Sequence, residues 1–175
     1  AFNDAIFVSK LRLEANDEVF NAELETVFNG ANEKIKALYD KMTSDKKDAI
    51  KLKIHDSEFY NSKDILKLFT EFVRLTTLNS KVIWTEIDNF ITVEGCFPVE
   101  DISAYTRSND KQAIAVKLMG KLPYNSIDVF VEDLKTFSSN SGSSGGNNSG
   151  VGGNSSSSTG KTFPFIAGNA YTTQD

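Results

Sequence analysis

The sequence predicts a mainly α protein: a single compact helical domain over residues 1–137, carrying an extended C-terminal arm. Three observations lead there. Apolar residues recur three and four apart through most of the first 137 positions, the period of one helix face. The glycines of that stretch are Gly30, Gly95 and Gly120, each where a helical run would stop. From 138 to 160 every residue is Ser, Gly or Asn except Val151 and Thr159. Such a tract buries too little apolar surface to offset the entropy of ordering it.

The elements follow in order. Ala5 to Leu13 reads as a strand or a packed arm, and Phe7, Leu11 and Leu13 do not choose between them. Val19, Phe20, Leu24, Val27 and Phe28 have helical spacing; Asn16 or Asp17 suits the cap and Gly30 the stop. Ile35, Leu38, Tyr39 and Met42 form the next helical set, and Ser44-Asp45 offers an N-cap for a segment with Ala49, Ile50 and Ile54. Ser62 opens the strongest helix. Its residues Ile65, Leu66, Leu68, Phe69, Phe72, Val73 and Leu75 cover a face too wide for a surface helix, so it belongs at the centre of the core.

Residues 81–94 carry two readings. Val82, Ile83, Trp84, Ile87, Phe90, Ile91 and Val93 are β-branched and aromatic, which favours strand. A minor β hairpin near 82–97, turning at Asp88-Asn89, is that version. Ile83, Ile87, Phe90 and Ile91 keep helical spacing, with Ser80 at the N-cap and Gly95 at the left-handed position past the end. The helix is the favoured reading. Beyond Pro98, a short helix holds Ile102 and Tyr105. Ser108-Asn109-Asp110 caps another with Ile114 and Leu118, closed by Gly120. Asn125 or Ser126 caps a last one with Ile127, Phe130, Val131, Leu134 and Phe137 inward.

The tail divides in two. Residues 138–160 form a flexible linker whose r.m.s. reach is roughly 25 Å by the scaling of Gly-rich chains. Residues 161–175 are an apolar docking tip, in which Phe163, Pro164, Phe165, Ile166 and Tyr171 are the candidate partner contacts. A soluble protein gains nothing by leaving such a cluster in water at the end of a tether.

Composition narrows the function. The 175 residues carry a net charge of −5, which argues against general attraction to nucleic acid or anionic membrane. No apolar run approaches the length that spans a bilayer. A lone Cys96 allows no internal disulfide and reads as a small buried hydrophobe. The start at Ala1 fits either removal of an initiator Met or a cleaved signal peptide, so no compartment follows.

The chemistry is thin. Gly160-Lys161-Thr162 lacks the upstream glycine of a phosphate loop, where Ser155 stands instead. One histidine, His55, and one cysteine supply too few ligands for zinc. The Glu100-Asp101 and Glu132-Asp133 pairs fall at helix starts or outer faces, as solvated charge does. The sequence therefore predicts no enzyme, metal or cofactor.

One stretch departs from the acidic average. Residues 33–54 hold seven lysines against four acidic residues. Lys34, Lys41, Lys47 and Lys51, with Arg74 from the most apolar helix, are the candidate nucleic-acid contacts. A solvated Lys-rich helix whose stems cover apolar surface explains the same pattern. Arg74 is expected to pair with a carboxylate or to reach a ligand at an interface. The leading expectation is a structural or assembly protein, a virion coat, tail or connector-like subunit, that self-associates or docks on a scaffold through its arm. The competing one is a soluble adaptor or nucleic-acid-binding module whose tail recruits a partner.

Overall fold

A computed structural model describes residues 18–141. The expectations for the first 17 residues, the linker beyond Ser141 and the docking tip lie outside these residues. Eight α-helices appear, with no strand among the described residues. They are α1 (Glu18–Phe28), α2 (Glu33–Asp40), α3 (Ser44–Asp56), α4 (Ser62–Asn79), α5 (Trp84–Asn89), α6 (Val99–Arg107), α7 (Lys111–Met119) and α8 (Ile127–Asn140). Helix α5 runs on as a π-helical turn over Phe90–Glu94.

The helix starts show local chemistry at work. Asn61 caps α4 by accepting a hydrogen bond from the Asp64 amide at 3.0 Å. Asn32 and Ser126 cap α2 and α8 in the same way. These bonds satisfy first-turn amides that have no partner inside the helix. Helix α3 starts differently: Thr43 is its N-cap, Ser44 its first residue, and no side chain caps it.

Burial sorts the apolar side chains into two clusters. In the first core Leu24 and Phe28 of α1 meet Ile35, Leu38 and Tyr39 of α2, Ile50 and Ile54 of α3, Phe59, and Ile65, Phe69 and Val73 of α4. The Phe69 ring stacks on Phe28 with centroids 3.8 Å apart and meets Tyr39 edge-on at 5.1 Å. The second core joins Leu75 and Leu78 of α4 to Ile87, Phe90, Ile91 and Phe97, with Tyr105, Ile114, Leu118, Tyr124, Phe130 and Leu134 from the later segments. Helix α4 thus supplies both clusters, as its wide apolar face requires. All described residues belong to one compact unit.

The hairpin near 82–97 is overturned. Ile87, Phe90 and Ile91 are buried, while Val82, Ile83 and Val93 are exposed. That is a helical stripe, not the alternation of a half-buried strand. Core packing here overrides β propensity. Ser80 is not the N-cap of this helix; it closes α4, and Ile83 precedes α5 in extended conformation.

The left-handed residue after the π turn is Cys96, at φ 51°, rather than Gly95. Gly95 is required for space instead. A Cβ there would stand 2.1 Å from Phe97 Cε2 and 2.4 Å from the Phe90 carbonyl oxygen. The last helix continues to Asn140, beyond Phe137. Ser138 is buried and its hydroxyl donates to the Leu134 carbonyl at 2.6 Å.

Candidate functional site

Two concavities are the candidate sites. The first, about 390 Å³, lies beside α4. Its lining comes from the α1–α2 turn (Gly30 to Asn32), from Leu66, Lys67, Thr70, Glu71 and Arg74, and from Ile127 and Asp128 at the start of α8. Two cations and two carboxylates line it, so it favours neither sign of ligand. An adjoining depression shares Ala31 and Asn32 and extends to Lys34, Cys96 and Phe97.

Arg74 is held in this region by a hydrogen bond and a ring contact. Its Nη2 donates to the Cys96 carbonyl at 2.6 Å, and its guanidinium lies 5.4 Å from the Phe97 ring centroid. Its buried Nε has no hydrogen-bond partner among the described residues. Burial lowers the Arg74 pKa from its ordinary value, partly opposed by Cys96 and Asp101. The expected carboxylate partner is replaced by a backbone carbonyl. Arg74 ties the turn after the π segment to α4, where one core gives way to the other.

The second concavity, about 220 Å³, is basic. Lys41, Lys46 and Lys81 line it with Thr43, Thr76, Thr77 and Ser80, beside Leu38, Met42 and Glu94. Glu94 is engaged: its Oε2 accepts from Lys81 Nζ at 3.1 Å. Lys41 and Lys46 are exposed and have no ion pair among the described residues.

The five predicted nucleic-acid contacts do not form one surface feature. Lys41 lines the basic groove, Lys34 the depression and Arg74 the cleft beside α4. Lys47 lies over the Tyr39 ring, 4.9 Å from its centroid. Lys51 pairs with Glu25 at 3.4 Å, and the same Glu25 oxygen accepts from the Tyr39 hydroxyl at 3.1 Å. Lys47 and Lys51 share a face of α3, but it is the face that closes over the first core. Sequence reasoning passed over Lys81, Thr76 and Thr77 as site residues. Only the folding of α4 against α2 and α3 brings them to Lys41, and no local pattern records that.

The remaining candidates for chemistry are dispersed. His55 sits in the last turn of α3, with Nδ1 3.1 Å from Asp56 Oδ1. Asp133 accepts from Lys121 at 2.8 Å and from the Tyr124 hydroxyl at 3.0 Å, and Asp101 pairs with Lys135. Among the described residues no group of three or more His, Cys, Asp or Glu is placed to hold a metal. No described helix is long and apolar enough to cross a membrane. Phe163, Pro164, Phe165, Ile166 and Tyr171 lie outside the described residues. No protein-family model, curated protein or solved structure matches this chain.

Proposed function

We propose that this chain is a structural or assembly protein whose C-terminal tip, residues 161–175, docks on further copies of the chain or on a scaffold. Virion coat, tail and connector subunits are the class of architecture it would join. One observation carries the reading: an uncharged Ser/Gly/Asn tract from 138 to 160 ends abruptly in Phe163-Pro164-Phe165-Ile166. A tether makes docking nearly intramolecular, with effective concentrations of about mM order. Pro164 limits the entropy lost when the tip is ordered. Sheltering the two phenylalanines and Ile166 supplies the apolar driving force.

Sizing of the purified protein with and without its tail tests the proposal. The truncation belongs at Gly142, because Ser138 is buried in α8 and bonded to Leu134. The full chain is expected to self-associate, and the truncated one to run as a monomer. Identical monomeric profiles for both would overturn the reading. The adaptor or nucleic-acid-binding reading draws on a different observation, the exposed Lys41 and Lys46, which have no ion pair among the described residues. It would show as a monomer that retains single-stranded oligonucleotide without its tail.

A further inference from the structure

We propose that the groove between the α2–α3 junction and the C-terminal end of α4 binds the phosphate group of a phosphate monoester. The inference rests on the described residues alone and is independent of the arm. Three lysines line a space of about 220 Å³ in a chain whose net charge is −5. Only one carboxylate shares that space, and it is bound to Lys81 at 3.1 Å. Lys41 and Lys46 are left as uncommitted ammonium groups, matching the two negative charges of a monoester near neutral pH.

The hydroxyl set fits the same ligand. Thr43, Thr76 and Thr77 line the groove with hydroxyls able to donate to a phosphate oxygen, whereas the Ser80 hydroxyl donates to the Thr77 carbonyl at 2.7 Å. Thr43 makes no capping bond to the start of α3. Thr43 and Lys46 bring the start of that helix to the groove, and a helix start favours an anion. The opposing influence is the C-terminal end of α4, whose last carbonyls repel anions. Those carbonyls are already engaged: Thr77 accepts from the Ser80 amide and hydroxyl, and Leu78 accepts from the Lys81 amide.

Size and lining set the ligand class. Drug-sized ligands occupy roughly 300–1,000 Å³, so this groove takes the anionic group and leaves the rest of the molecule outside. No aromatic ring lines it, which removes the stacking that holds a base of single-stranded nucleic acid. A phosphodiester carries one charge per phosphate and would leave one of the two lysines unmatched.

The test is a titration of the full chain with inorganic phosphate, followed by amide NMR shifts. Saturable shifts are expected at Thr43 to Lys46 and at Thr76 to Lys81. The double variant Lys41→Gln/Lys46→Gln changes only exposed side chains and is expected to weaken binding about tenfold or more, by loss of charge-assisted hydrogen bonds. Lys34→Gln/Lys63→Gln removes the same charge outside the groove and is expected to leave the affinity within about twofold, as surface charge at a distance is screened. A parallel titration uses a single-stranded oligonucleotide without terminal phosphate. Absence of saturable phosphate shifts, or shifts that survive Lys41→Gln/Lys46→Gln, would overturn the proposal. So would oligonucleotide shifts at these amides that the same variant abolishes while inorganic phosphate gives none, since the groove would then follow a polyanion backbone.

Discussion

Arg74, Gly95 and Cys96 together fix the turn after the π segment, and each does so by a different physical means. Gly95 provides room, because a Cβ would meet both the Phe97 ring and the Phe90 carbonyl. Cys96 accepts a left-handed backbone, φ 51°, that L side chains rarely adopt. Arg74 holds the Cys96 carbonyl in place. Gly95→Ala is accordingly expected to destabilise by about 1–3 kcal/mol, the range of an overpacked core. Cys96→Gly is expected to stay within about 1 kcal/mol of the parent, since relief of the left-handed strain offsets the lost side chain. Arg74→Ala strands a carbonyl and should lower stability by about 1–3 kcal/mol. Urea unfolding midpoints rank the three; a Gly95→Ala protein as stable as the parent contradicts the steric account. Three tyrosines add a pH dependence. Burial, reinforced by hydrogen bonds to Glu25, Asp88 and Asp133, raises the hydroxyl pKa of Tyr39, Tyr105 and Tyr124 above the ordinary 10.0. Their protons are held more tightly in the folded state, so their stabilisation is complete below pH 10 and falls as the pH rises beyond it. Tyrosinate absorbance followed with far-UV circular dichroism should show these three ionising only as the helices melt; their ionisation in a folded domain near pH 10 would refute it.

At the scale of the elements, the sequence was most legible where a cap and an apolar stripe agreed. Helix α4 is the plainest case. Ser62 opens it as the sequence predicts, Ile65, Phe69 and Val73 keep the period and are buried, and the structure adds Asn61 as a cap that sequence reasoning passed over. Asn61→Ala removes the cap and is expected to lower stability by about 1 kcal/mol. The beginning of α5 was less legible because cap preference cannot distinguish the end of one helix from the start of the next. Ser80 suits either role, and the true start is at the uncapped and half-exposed Ile83. There the Val82 amide finds the Glu86 carboxylate at 2.9 Å instead of a capping side chain. Replacing Ile83 by Asp supplies an acceptor while exposing little new apolar surface, so a gain of about 0.5–1 kcal/mol is expected in thermal unfolding. A loss of that size would show that Ile83 packs more than it caps. That the β-branched run 82–93 buries a helical stripe was legible only in the spacing of Ile87, Phe90 and Ile91. The basic groove was not legible at all, because Lys41 and Lys81 are brought together by tertiary packing.

At the scale of the whole molecule, one helix joins two cores. Ile65, Phe69 and Val73 of α4 belong to the first, and Leu75 and Leu78 to the second. Melting either end of a continuous helix exposes that end's apolar side chains and frays the support of the other end, so the two clusters should unfold together. Arg74 strengthens this coupling, since it bonds the turn after the π segment to α4 at the junction. The single tryptophan, Trp84, packs against the second core only, which makes it a reporter for one side of the molecule. Phe69 is fully buried in the first core, stacked on Phe28. Phe69→Ala is expected to cost about 3–5 kcal/mol. If the domain is one cooperative unit, that change must lower the midpoint read by Trp84 fluorescence as much as the one read by far-UV circular dichroism. Phe130→Ala, in the second core, must do the same to both signals. A Phe69→Ala protein whose helices begin to melt while Trp84 fluorescence stays native would mean that α4 breaks between Val73 and Leu75. The two halves would then be separate folding units that share a helix without sharing a transition.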